Sequence, residues 1–155
     1  SLSPEHSMAM NTSKVITGGL AAGLVLNVLD FIVNKYIVGA RMAAEANAFH
    51  PGLGDAMMAM GAKQMAGYVI MDFVIGLLLT YTYAAMRPRF GAGAKTAVIA
   101  AMVFWIFGTI VSVNYMAMGM MSSGLWLTFG VIYLVCLLIT AMVGGKLYSE
   151  DGAAA

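Results

Sequence analysis

The sequence predicts an all-α integral membrane protein, a bundle of four transmembrane helices, and three observations carry that prediction. Hydrophobic residues make up 61% of the 155-residue chain and charged residues only 10%, against ~25% charged in a typical soluble domain. So few ionic groups cannot cover a solvated surface, and lipid is the expected solvent. Four segments, residues 15–38, 67–86, 96–117 and 125–147, match the ~20 mostly apolar residues a helix needs to cross the hydrocarbon core. None of them shows the alternation expected of barrel strands, and closed barrels are the other structure that can span a bilayer.

The chain divides into a polar N-terminal tail (residues 1–14), one transmembrane domain (15–148) and a C-terminal tail (149–155). The first apolar run is longer than the ~7–15 residues of a signal-peptide core, so it is expected to be retained as a span. The connection over residues 39–66 contains Pro51, Gly52 and Gly54. Its flanks, 41–49 and 55–64, are expected to form short helices lying near the interface on the outer side. The second span is expected to stop at Arg87, because Pro88 disfavours helix in the residue before it, and Gly91 and Gly93 loosen the turn that follows. Residues 118–124 form a short uncharged turn between the third and fourth spans.

Orientation follows from the placement of Lys and Arg, which favour the cytoplasmic side. An N-in, C-in chain puts Lys14, Arg87, Arg89, Lys95 and Lys146 inside, and Lys35, Arg41 and Lys63 outside. Tyr36, Tyr68, Tyr83, Tyr115, Trp126 and Tyr148 stand near the span ends, where headgroups suit amphipathic rings. A faint internal repeat relates the spacing of Lys14 and Asn34 to that of Lys95 and Asn114, which suggests two related helical hairpins.

Helical spacing sorts the polar and small residues into one stripe per span. The first carries Gly19, Gly23, Asn27, Asp30 and Asn34, and its Gly19-x-x-x-Gly23 pair lets another backbone approach. The second carries Tyr68, Asp72, Gly76 and Tyr83; the third Trp105, Gly108, Ser112 and Tyr115; the fourth Tyr133, Cys136, Thr140 and Gly144. Asp30 and Asp72 are the informative members. An Asp near a helix centre costs ~2.5–3.5 kcal/mol on insertion, so neighbouring helices must answer it. Both lie about four residues, or ~6 Å, to the outer side of their span midpoints. In antiparallel helices they meet at similar depth, and no Lys or Arg lies in the centre of any span. Two such carboxylates cannot both stay ionised. They form either a protonatable or cation-binding pair supported by Asn27, Asn34 and Ser112, or a neutral hydrogen-bonded pair that sets packing register.

Other features are weaker. Cys136 is read as a packing residue, since a single cysteine cannot form an intrachain disulfide. Methionine clusters at 57–65 and 116–121 are soft-ligand donors in principle, with His50 on the same side, but Met is equally an adaptable packing residue. No metal ligand set or cofactor is predicted. Residues 93–96 lack the glycine spacing of a phosphate loop. Arg87, Arg89 and Lys95 are read as topology determinants that touch lipid headgroups or a partner. A net charge of +1 gives no footprint for nucleic acid.

The stretch Tyr83-Ala84-Ala85-Met86-Arg87-Pro88-Arg89-Phe90-Gly91-Ala92-Gly93-Ala94-Lys95-Thr96-Ala97, with the opening Asn11-Thr12-Ser13-Lys14-Val15-Ile16, resembles a family of small uncharacterised bacterial four-helix membrane proteins. The resemblance covers residues 11–148 and includes a carboxylate at the place of Asp30 and an asparagine at the place of Asn34. The chain departs from it at Ala92 and Ala94, where the family loop often has prolines. The resemblance implies this topology and a bacterial inner-membrane setting, and no chemistry. The expected function is that of a non-enzymatic accessory or structural subunit of a membrane complex, or a homo-oligomer, with lipid and other membrane subunits as partners. The alternative is a small channel or transporter for protons, cations or a solute, using Asp30 and Asp72.

Overall fold

The computed structural model describes residues 10–150, so most of the N-terminal tail and the last five residues lie outside the described residues. The architecture is all-helical: α1 (Thr12–Ile32), a π-helical turn (Val33–Val38), α2 (Gly39–Phe49), α3 (Leu53–Met58), α4 (Ala62–Phe90), α5 (Ala94–Ala117) and α6 (Ser123–Leu147). Four helices, Thr12–Phe49, Ala62–Phe90, Ala94–Ala117 and Ser123–Leu147, are long and apolar enough to cross a membrane. Their outward faces carry large apolar side chains such as Leu24, Ile70, Ile110 and Val131. This is the surface of a multi-pass membrane protein.

Helix boundaries follow local chemistry, with three departures from expectation. Asn11 caps α1, its side chain accepting from the Lys14 N–H at 3.1 Å, so helix begins before the first apolar run and takes in Lys14. No loop follows Val38. The π-turn widens the helix by one residue and brings the Asn34 carbonyl against Gly39, where a Cβ would collide with it. Glycine therefore lets α2 continue from α1. The connection first breaks at Pro51 and Gly52, the latter with φ 86°, and again between Met58 and Ala62. The expected helix over 55–64 is divided: α3 ends at Met58, and Lys63 and Gln64 open α4.

The third departure is at Pro88, which does not end α4. The helix runs through it to Phe90 and stops at Gly91, whose φ of 84° favours glycine. With one turn left, proline removes only a single backbone bond. The Gly91–Gly93 turn is tight rather than loose. Tyr83 Oη accepts from the Gly93 N–H at 2.9 Å, and the Thr96 hydroxyl donates to the Gly91 carbonyl at 2.6 Å.

α1 packs on α4 and α6, and α5 packs on α6 and α4. At the end carrying the Gly91–Gly93 turn, the contacts are close. A Cβ at Gly19 would lie 2.7 Å from the Cα of Leu77, and one at Gly145 3.0 Å from the Tyr83 ring. Ala22, Leu79, Thr80, Ala100, Ala101 and Thr140 are fully buried there or beside it. Nearby, Tyr148 accepts from the Asn11 N–H at 3.2 Å and stands edge-on to Tyr83. Burial pushes its hydroxyl above the ordinary tyrosine range.

Candidate functional site: an acid pair in an apolar cavity

The site is placed by the glycine crossing. Gly23 and Gly76 bring α1 and α4 together: a Cβ on Gly76 would lie 2.6 Å from the Gly23 Cα, and one on Gly23 2.7 Å from the Phe73 Cα. Asp72 is one turn before Gly76, and Asp30 two turns after Gly23. Because the helices are antiparallel, both displacements run toward the same end, the end of α2 and α3. The close approach of backbones thus sets the register that makes the two acids neighbours.

Asp72 is 3% exposed, and the polar group acting on its carboxyl is the carboxyl of Asp30. Asp30 has Tyr133 on α6 as its other polar neighbour, yet Asp30 Oδ1 is buried without a hydrogen-bond partner among the described residues. The Tyr133 hydroxyl and the contact between the two carboxyls thus satisfy the pair only in part, and one buried oxygen is left over.

Both acids line a cavity of about 700 Å³ between the helices, walled at one end by residues of α2 and α3. Its wall is largely aromatic and sulfur-bearing, with Phe104, Trp105, Phe129 and Tyr133 on α5 and α6, and Met42 and Met57 on α2 and α3. The indole N–H groups are already used. Trp105 Nε1 donates to the Gly130 carbonyl at 2.7 Å and Trp126 Nε1 to the Ser112 hydroxyl at 2.9 Å. That leaves ring surface to form the wall. Among the described residues that line the cavity, none is Lys, Arg or His.

The residues expected to support the acids divide. Ser112 lines the same cavity, but its hydroxyl donates to Thr109 and accepts from Trp126 rather than meeting a carboxyl. Asn27 bridges α1 to α4, donating to the Gly23 carbonyl at 3.0 Å and the Val69 carbonyl at 3.2 Å. Asn34 donates to the backbone carbonyl of Asp30 at 2.9 Å and is exposed. Tyr68, expected on the same face as Asp72, is 52% exposed. Arg87, Arg89 and Lys95 lie at the opposite end of the bundle. Arg89 and Lys95 are exposed, whereas Arg87 turns inward over the Tyr148 ring and pairs with Glu150 at 4.0 Å. His50 is exposed at the end of α2 and does not line the cavity.

Two contributors were not singled out in the sequence. Tyr133 stands in the α6 stripe, but nothing local says it faces Asp30. Glu45 on α2 accepts from the Ser122 N–H and hydroxyl, each at 2.7 Å, and from Arg41 Nε at 3.2 Å. This ties α2 to the start of α6 across the cavity rim. The only sequence signal was the Arg41–Glu45 spacing of one helical turn.

Comparison with protein-family models, with curated proteins and with solved structures finds no match to this chain.

Proposed function

We propose that this chain is a small carrier in a bacterial inner membrane, which takes a solute into the cavity and uses Asp30 and Asp72 as its proton- or cation-exchanging pair. The observation that supports it is the coincidence of a 700 Å³ cavity with two acids that have no basic partner among the described residues. Intramembrane acids are costly, and those that persist commonly serve a proton or ion path. An N-in, C-in orientation puts the cavity end lined by α2 and α3 toward the outer side, with those helices at the interface. Arg89 and Lys95 then face the inner headgroups. No catalysis is assigned. A role as accessory subunit or homo-oligomer is the less economical proposal, because it leaves both the cavity and the acids without a use.

Proteoliposomes with an acidic lumen and an enclosed pH-sensitive dye test the carrier. Cationic, anionic and neutral apolar solutes of cavity size are added in turn. At least one class should collapse the gradient faster than in empty vesicles, and Asp30→Asn with Asp72→Asn should remove the difference. If no class acts on the unmodified protein, it is not a carrier. Recovery of the chain in a stoichiometric complex from native membranes would then favour the subunit role.

A further inference from the structure

Charge, wall chemistry and volume narrow the ligand. We infer that the cavity binds a bulky apolar organic cation, a quaternary ammonium or phosphonium with aromatic or alkyl arms, in exchange for a proton of the acid pair. This rests on the carrier proposal for the location of the site, and it adds the substrate class.

The cavity offers negative charge and none of the opposite sign. Asp30 and Asp72 are its acids, and its wall has no Lys, Arg or His among the described residues. An anion would meet like charge. A neutral polar solute would find few donors, because the hydroxyl of Ser112 and both indole N–H groups are committed to partners inside the protein. A small inorganic cation would lose its water for too few ligands. Ca²⁺, for example, takes ~6–8 oxygens, and beyond the two carboxyls this wall is mainly carbon and sulfur. A quaternary cation is weakly hydrated, so it sheds little water on entry. The faces of Phe104, Trp105 and Phe107 suit it through their ring quadrupoles. The methionines adapt to arms of different shape. A volume of about 700 Å³ falls within the ~300–1,000 Å³ of pockets for drug-sized ligands.

The exchange balances. One carboxylic acid of the pair loses its O–H proton to water, and the organic cation takes the place of that positive charge. No covalent bond to the ligand forms. The titratable groups facing the pair are few. Tyr133 and Cys136 come from α6, and Tyr115 stands on the α5 wall. The lining residues of α2 and α3, Met42, Ala46, Leu53 and Met57, do not titrate.

The full chain in detergent, titrated calorimetrically with tetraphenylphosphonium against protein-free micelles, tests this. Running it in two buffers of different ionisation enthalpy counts the protons released. Affinity should rise with pH, by about tenfold per unit where one whole proton is exchanged. Tetraphenylborate, an anion of the same shape, should not bind. Asp72→Asn should weaken binding at least ~tenfold and abolish proton release, as loss of a charge-paired contact implies. Phe107→Leu, at an exposed position that leaves the core untouched, should weaken it about two- to fivefold. Equal binding of the borate, binding without proton release, or affinity indifferent to both substitutions would each overturn the inference. Should Asp72→Asn not fold, the wild-type pH dependence and Phe107→Leu decide. Phosphonium binding with no gradient collapse by any solute would keep this site and remove the carrier. Gradient collapse by another class, with no phosphonium binding, would do the reverse.

Discussion

Toward the Gly91–Gly93 turn, the helices touch backbone to backbone. Gly18, Gly19, Gly144 and Gly145 leave no room for a Cβ without pressing on a neighbouring helix, and alanines and threonines fill what remains. Toward α2 and α3, the same helices part around about 700 Å³ of space walled by aromatic and methionine side chains. Glycines occur in both regions and mean different things. Gly76 is jammed against Gly23, while Gly108 and Gly130 have nothing within 4 Å of where a Cβ would stand. In lipid, helices gain little from hiding apolar surface, so association relies on close packing and interhelical hydrogen bonds. The tight end supplies the close packing, while hydrogen bonds such as Asn27 to Val69, Trp105 to Gly130 and Trp126 to Ser112 tie the helices on the cavity side, which stays open around two acids.

The sharpest way to break this contrast is at its boundary. Gly76→Ala forces a Cβ onto the Gly23 backbone and should cost about 2–3 kcal/mol, at the upper part of the range for overpacking. Unfolding in mixed micelles by denaturing detergent measures it. An unchanged midpoint would mean that the crossing is not what holds α1 to α4.

Asp72 gives the opposite sign. Its carboxyl is buried beside another acid, so Asp72→Leu should stabilise the protein by about 1–2 kcal/mol in the same assay, as replacement of buried ionic groups by apolar ones often does. A loss of stability would instead mark the pair as structural glue.

Tyr83→Phe removes the acceptor of the Gly93 N–H and should cost about 1 kcal/mol, read as the same midpoint shift. Faster amide exchange at Gly93 would locate the effect in the turn. Gly108→Ala is the smallest expected effect. With open space at its Cβ position and a better helix former in place, stability should hold or rise by up to about 1 kcal/mol. A loss as large as that of Gly76→Ala would show that the cavity wall is packed as tightly as the opposite end.

Much of this was legible along the chain. The small-residue stripe from Gly19 to Asp30 does face other helices, and Gly19 and Gly23 do admit another backbone. Asp30 and Asp72 do meet. Other features were not legible, for identifiable reasons. Pro88 predicts a helix end because local sterics disfavour helix before proline. Here Tyr83 and Thr96 bind the turn beyond it, and Arg87 reaches Glu150, so tertiary contacts outweigh the local preference. Gly39 looks like a break, yet it serves a π-turn whose fit depends on the Asn34 carbonyl five residues back. Ser112 stands in the polar stripe of the third span, but a stripe does not say which neighbour a hydroxyl chooses, and Trp126 holds it. The Glu45–Ser122 contact joins residues 77 apart in the chain, beyond the reach of any periodicity.

Taken alone, the order of residues determined that this chain makes four apolar helices with one small or polar stripe each. In hydrocarbon a backbone must satisfy its own hydrogen bonds within each segment, so length and side-chain type are enough. Only the tertiary structure decided that the acids would open onto a cavity rather than close into a seam. Whether two helices converge or part beyond their crossing is set by the packing of both together, and neither helix encodes that angle by itself.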